Sequence, residues 1–352
     1  VGILLGLAAS PPLAERNGLP TFHYVIRQLV FGIAALSGMM FLSMQTPATV
    51  RRLAVIGFVG AVIAVALLPI LGTDFGKGAV RWYSLGFASV QPSEFLKPTF
   101  VVTTAWFMAA STDLDGPPGK TISFVAVVFL AGLLAMQPDF GQASLLLGAW
   151  GVIYFIAGAP VWLMIVLSFG TVGAGFMAYT SSEHFARRID GFLSADMDPR
   201  SQIGFATRGI QEGGLFGVGV GEGSVKNFLP DAHTDFIIAV AAEEYGLILC
   251  LLIIFLFAFI TVRSLFRLLR ERDAFVRFAG TGLAALLALQ ALINLGVAVR
   301  LLPAKGMTLP FISYGGSSLL AAGLLFGFLL ALTRTRPQDS LNDVLGRGTK
   351  NV

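Results

Sequence analysis

The chain has 352 residues, of which 55% are hydrophobic and only 12% charged, with a net charge of +4 and a mean hydropathy of +0.79. Soluble domains carry about 25% charged residues, so a soluble globular protein is excluded and an all-α polytopic membrane protein is indicated. The single cysteine, Cys250, rules out an intrachain disulfide framework, and redox chemistry is not indicated.

In chain order, the opening apolar stretch ends at Ala9, short of the roughly 20 residues that a span requires. It reads as the end of a truncated first helix, since no basic flank or cleavage site marks a signal peptide. Apolar segments follow near 24–43, 53–71, 95–110, 121–137, 142–157, 161–180, 235–262, 276–299 and 311–333. With the opener they predict ten transmembrane helices in one domain spanning 1–352. Basic residues set the orientation. Arg51 and Arg52 follow the second helix, and Lys120 precedes the fifth. Arg263, Arg267, Arg270, Arg272 and Arg277 separate the eighth from the ninth, and Arg334, Arg336, Arg347 and Lys350 lie in the tail. All fall on one side of a ten-helix count, which the positive-inside rule makes cytoplasmic.

Residues 181–234 then form one large extracytoplasmic loop. It holds Arg187, Arg188, Arg200, Arg208 and Lys226, and the glycines Gly213, Gly214, Gly217, Gly219, Gly221 and Gly223. Backbone amides freed by glycine, with basic side chains beside them, suit a phosphate-bearing ligand; a compact loop that needs turns explains the glycines as well. The loop ends in Leu229-Pro230-Asp231-Ala232-His233-Thr234-Asp235, two carboxylates and an imidazole at the mouth of a long apolar run. Ionisable groups near membrane depth are functional candidates by default. Thr234 suits a helix N-cap, which places Asp235 in the first turn, where the helix dipole favours its ionised form.

Two further outer loops are polar at the membrane edge. Arg81-Trp82-Tyr83 precedes Gln91-Pro92-Ser93-Glu94-Phe95-Leu96-Lys97, where Glu94 and Lys97 are neighbours on one helix face and an ion pair is the plain alternative to a ligand role for Lys97. The other runs from Leu301 through Pro303, Lys305, Gly306 and Pro310 to Ser313, Tyr314, Gly315 and Gly316. Its prolines and glycines indicate irregular backbone buried in protein or lining a cavity; close small-residue helix packing is the alternative. Beyond Asp235, Glu243 stands about 80° round the helix and Glu244 about 180°, so the two are not expected to face one cavity. Arg300, Gln290 and Asn294 are their expected partners in the bundle. His233 has no ligand spacing to His23 or His184 and reads as a hydrogen-bond orienter.

On Pro92–Lys97, Gln137-Pro138-Asp139-Phe140-Gly141, Pro230–Phe236, Glu243-Glu244 and Leu302–Ser318, the chain resembles the SEDS family (shape, elongation, division and sporulation) end to end. It is most similar to the division branch by Lys305-Gly306-Met307-Thr308-Leu309-Pro310 and Ala8-Ala9-Ser10-Pro11-Pro12, with the elongation branch as the alternative. The resemblance implies an inverting peptidoglycan glycosyltransferase in the bacterial inner membrane. It polymerises lipid II at the septum, releases undecaprenyl pyrophosphate on the outer side, and works with a class B penicillin-binding protein and other division-complex membrane proteins. It also implies that the family's loop aspartate is Asp235 and its functional lysine Lys305. Many members have Glu where this chain has Asp231, which keeps the charge.

The residues bear the chemistry independently. A carboxylate within reach of a sugar hydroxyl accepts its proton as the bond forms, a role for Asp235; as a purely structural residue it would be a cap or an ion-pair partner. Lys305, Lys97, Arg208, Arg187 and Arg188 are the outward cations for the leaving pyrophosphate, with a divalent cation (Mg or Mn) as a substitute. His233, Asp231, Glu243, Glu244, Ser313 and Tyr314 are supporting candidates. A lipid II flippase and a non-catalytic division scaffold remain alternative functions. Without a Walker motif, transport would not run on the chain's own nucleotide hydrolysis. No nucleic-acid partner is expected.

Overall fold

The computed structural model describes residues 1–74, 80–86, 88–113, 115–181, 183–193, 201–229, 231–303 and 306–335. Every predicted apolar segment contains a helix. α1 (Gly2–Ala9) and α2 (Pro11–Arg16) lead into α3 (His23–Ser43) and α4 (Pro47–Leu71). A short hairpin, β1 (Tyr83–Ser84) with β2 (Ser89–Val90), precedes α5 (Pro92–Ala110), α6 (Gly119–Met136), α7 (Phe140–Ile156) and α8 (Val161–Ser181). The long loop contributes α9 (Glu183–Leu193) and α10 (Gln202–Gly213). The bundle closes with α11 (Ile237–Leu268), α12 (Ala274–Ala298) and α13 (Gly316–Thr333). Among the described residues, six of these helices (α3, α4, α6, α11, α12 and α13) are long and apolar enough to cross a membrane unaided.

Local sequence sets the boundaries. Thr46 accepts a hydrogen bond from the Thr49 N–H at 3.2 Å, with Pro47 at the first helical position. Asp273 caps α12 through the Phe275 and Val276 amides at 2.8 and 3.2 Å. The last segment starts later than its hydropathy suggests, because residues 311–315 are a turn in which Phe311 has a left-handed φ of 60°. α11 breaks at Gly246 (φ 78°, ψ −178°), where a side chain would strike the Leu215 carbonyl.

α5 is the axis of the bundle. It packs against α4, α6, α7, α12 and α13 and is buried along most of its length. This is why a helix carrying Glu94, Lys97, Thr99, Thr103 and Thr104 persists at membrane depth: its polar groups face protein. Thr99 and Thr104 donate back to the carbonyls of Phe95 and Phe100 at 2.7 and 2.9 Å. α8 is the opposite case, apolar and largely exposed on the outside of the bundle, touching mainly α7 and α9.

Candidate functional site

Asp235 lies before the helix, not in it. α11 begins at Ile237 with Phe236 in the cap position, and no side chain caps it. Thr234 is therefore not the N-cap; its hydroxyl donates back to the Asp231 carbonyl at 3.2 Å. That carbonyl also accepts the Thr234, Asp235 and Phe236 amides at 3.2, 3.1 and 3.3 Å. Residues 231–236 are thus a tight turn closed on one oxygen, with Asp235 half-buried at its tip. The Asp231 carboxylate accepts from Gln202 Nε2 of α10 at 3.2 Å.

The second wall is the segment ahead of α13. Asn294 Nδ2 donates to the Asp235 carbonyl at 3.2 Å and to the Met307 carbonyl at 2.6 Å, and Gln290 Nε2 to the Thr308 carbonyl at 3.0 Å. The Tyr314 N–H donates to the His233 carbonyl at 2.9 Å, and the Ser313 hydroxyl accepts from the Leu309 amide at 2.9 Å. A side chain at Gly306 would begin 3.5 Å from Asp235 Oδ2. The rings of His233, Tyr314 and Tyr24 pack with centroids 5.2–5.5 Å apart. His233 and Tyr314 thus hold the two loops against each other, while Ser313 closes the turn of its own segment. Lys305 lies outside the described residues.

Below Gln290 a cleft is lined by Glu94, Lys97, Pro98, Leu286, Pro310 and Ser318. Lys97 Nζ is 2.9 Å from Glu94 Oε2 with side-chain exposures of 3% and 7%. Gln142 Nε2 donates to the other Glu94 oxygen at 2.6 Å. The ion pair read from the i, i+3 spacing is present, and it makes Lys97 a buried, neutralised cation, not an outward one. Alongside, Gln91 Nε2 donates to Asp139 Oδ2 at 3.2 Å, and Arg81 donates to the Gln137 and Pro138 carbonyls at 3.0 and 2.6 Å. Burial pushes the Asp139 carboxyl above the ordinary range, against the pull of Arg81.

Glu243 and Glu244 do not pair with Arg300, Gln290 or Asn294. Glu243 Oε1 accepts the Ser224 and Val225 amides at 2.6 and 2.9 Å. Glu244 accepts the Gly221 amide at 3.1 Å and meets Lys226 Nζ at 2.5 Å. Both side chains therefore address one loop, contrary to the helical-wheel expectation. The wheel fails because α11 breaks two residues on, and the glycine-rich chain wraps round the break: the Val218 and Gly219 amides bond the Glu243 and Glu244 carbonyls at 2.8 and 3.2 Å. A side chain at Gly213 or Gly217 would strike α11 backbone. The glycines serve loop packing, and the Gly221, Ser224 and Val225 amides answer the protein's own carboxylates.

Of the remaining loop cations, Arg200 lies outside the described residues. Arg208 is exposed on α10, 5.7 Å above the Phe205 ring, and Arg187 is exposed on α9 with its Nε 3.4 Å from the Glu183 carbonyl. Arg188 lies on α9, its side chain outside what is described. No three His, Cys, Asp or Glu side chains among the described residues are grouped to hold a metal ion, so no step below is routed through one. The sequence reading missed Tyr24 and Gln142, and it assigned Gln290 and Asn294 to the wrong partners. Buried amides in apolar helices were the available signal.

Residues 1–338 match the FtsW/RodA/SpoVE family, described as cell cycle proteins. The chain is 43% identical to the "probable peptidoglycan glycosyltransferase FtsW" of Caulobacter vibrioides, over 96% of this chain and 86% of that protein. It is 32% identical to stage V sporulation protein E of Bacillus subtilis over 95% and 93%. Among solved structures it is similar to a chain from a peptidoglycan synthase complex that coordinates polymerization and crosslinking (TM-score 0.74, 26% identity, 96% and 97% covered). It also shares the fold of the Thermus thermophilus rod shape determining protein RodA (TM-score 0.67, 24% identity, 96% of each chain).

Proposed function

The chain belongs to the FtsW/RodA/SpoVE family, and from that premise we propose that it is a peptidoglycan glycosyltransferase of the division type, polymerising lipid II on the outer face of the bacterial inner membrane at the septum. This is the SEDS membership expected from the motifs, and the name FtsW on its curated relatives supports the division branch. Asp235 is the observation that carries the mechanism. It is a half-buried carboxylate in a turn closed on the Asp231 carbonyl, facing position 306 across the seam between two loops.

In this reading the acceptor sugar hydroxyl attacks the donor's anomeric carbon as Asp235 takes its proton. The bond to the pyrophosphate oxygen breaks, and undecaprenyl pyrophosphate departs with the electron pair. Attack opposite the leaving group inverts the centre. Asp235 assists in concert with bond formation, which suits a carboxylate too weakly basic to deprotonate an alcohol in advance. Lys305 supplies a point charge for the leaving group. Lys97, Arg208, Arg187 and Arg188 are the further candidates for that anion, Lys97 the least suited while Glu94 neutralises it. A class B penicillin-binding protein that cross-links the product is the expected partner, with other division-complex membrane proteins around it.

The test is polymerisation by the purified protein with its transpeptidase in proteoliposomes, with lipid II supplied to the outer leaflet alone. Glycan product and released undecaprenyl pyrophosphate are the expected result. A strict need for inner-leaflet substrate would favour transport, and no consumption from either leaflet would leave a scaffold.

A further inference from the structure

The seam between the two loops depends on one buried amide. Asn294 on α12 is 1% exposed, and its Nδ2 donates both to the Asp235 carbonyl and to the Met307 carbonyl. Both partners are acceptors, so the amide has a single acceptable orientation, because a flip would set Oδ1 against two carbonyl oxygens. In that orientation Oδ1 has no hydrogen-bond partner among the described residues. An apolar side chain of the same shape would pack as well but leave both loop carbonyls without this donor, so what the amide adds is the link between the two segments, at the cost of one unpaired oxygen. Packing alone therefore does not account for this side chain. Four residues earlier on the same helix face, Gln290 holds the next carbonyl, that of Thr308.

We propose that Asn294 is a positioning residue for glycosyl transfer: from a rigid helix it fixes the backbone of Asp235 at a set distance from the 306–310 segment, so that the proton acceptor and the opposing loop approach the reacting sugars together. This inference rests on the polymerase reading. It is separable from that reading because the bond from Asn294 to Asp235 is made to the backbone carbonyl, not to the carboxylate. A misplacement of about 1 Å at a reacting group costs on the order of 10²-fold in rate. Asn294→Ala accordingly lowers kcat by about 10- to 100-fold, while KM for lipid II stays within about threefold.

The discriminating variant is Asn294→Asp. An ionised carboxylate at 294 faces two carbonyl oxygens and can donate to neither, whereas its protonated form donates one bond. The titratable groups on the elements around position 294 are Asp235, His233 and Tyr314 on the two loops and, past Gln290, the Glu94–Lys97 pair; all five are present in the wild type. The ratio of variant to wild-type rate across about pH 6 to pH 9 therefore isolates position 294. The expected result is a ratio that climbs as pH falls, with Asn294→Leu, which matches the shape, low and flat throughout. A flat ratio for Asn294→Asp, or wild-type rates for Asn294→Leu, overturns the proposal. So does a loss of activity that tracks a loss of folded protein in Asn294→Ala, Asn294→Leu and Asn294→Asp alike. A wild-type protein that makes no glycan refutes the polymerase reading instead, whereas an Asp235→Asn variant that makes glycan normally leaves that reading standing and overturns the positioning role of Asn294.

Discussion

Asp235 and the pair Glu243 and Glu244 lie within ten residues of each other, yet the two regions use a carboxylate in opposite ways. Glu243 and Glu244 are each 1% exposed, and their oxygens meet backbone amides and Lys226. Asp235 is half-buried, and its main chain is tied on both sides: its N–H bonds the Asp231 carbonyl and its own carbonyl accepts from Asn294. A buried acid that accepts several amide and ammonium bonds acts as a fastener, because moving it breaks these charge-assisted bonds at once. An acid held by its main chain has its place set whatever its carboxylate meets, so the carboxylate can change partners without unfolding the turn. The same reasoning places Glu94 with the fasteners, between Lys97 and Gln142.

The comparison breaks most severely at Asp235. Asp235→Asn is expected to lower the polymerisation rate by about 10²- to 10⁴-fold, the usual contribution of a positioned general base. The variant should still fold, since the backbone bonds to Asp231 and Asn294 are kept. Initial rates of glycan formation, with a parallel melt in detergent, check both halves. A retained rate would return Asp235 to the structural class.

At the Glu94–Lys97 pair, stability should respond first. Removing one partner of a buried, hydrogen-bonded pair costs about 3–5 kcal/mol, because the other charge remains desolvated. Glu94→Gln or Lys97→Met should therefore melt well below wild type, and the double variant should recover much of the loss, measured as a double-mutant cycle. Single variants that melt normally but make no glycan would reassign the pair to catalysis. Glu243→Ala is a milder case. It strands the Ser224 and Val225 amides, at about 1–3 kcal/mol, whereas Glu243→Gln keeps an acceptor and should lose less. Activity should fall only with the folded fraction.

These contrasts explain what the sequence could convey. The apolar segments were plain because lipid-facing helices must be apolar nearly throughout, and the i, i+3 spacing of Glu94 and Lys97 anticipated their ion pair. The ends of the helices were not legible. Residues 311–315 read as helix by hydropathy, but the left-handed Phe311 and the adjoining glycines make a turn. Thr234 had the right chemistry for a cap, yet the Asp231 carbonyl collects the amides that a helix would have used. The break at Gly246 was equally hidden, and with it the reason that two carboxylates at 100° to one another reach a single loop. Long-range pairings such as Asn294 with Asp235 leave no local pattern, since each amide sits in an apolar helix and its partner is 59 residues away.

The smallest effect is expected at Arg208, which carries the right charge in the right loop to look like a pyrophosphate ligand. Exposed on α10, it lies over Phe205, whose ring stacks on Phe228 at 5.7 Å. A cation over an aromatic ring at an exposed site contributes about 0.5–1 kcal/mol, and an exposed guanidinium is screened by salt beyond roughly 10 Å. Arg208→Ala should thus shift the melt slightly and leave the polymerisation rate within about twofold of wild type. The contrast with Lys305 sharpens the reading. Lys305→Met should lose most of the activity, and Lys305→Arg should keep part of it, because a phosphate-facing ammonium acts chiefly as a point charge. Measured side by side at low and high salt, a rate loss at Arg208 that is large at low salt and shrinks as salt is raised would bring α10 into the anion site. An unchanged rate leaves the loop's charge with its own packing and assigns the leaving group to the segment opposite Asp235.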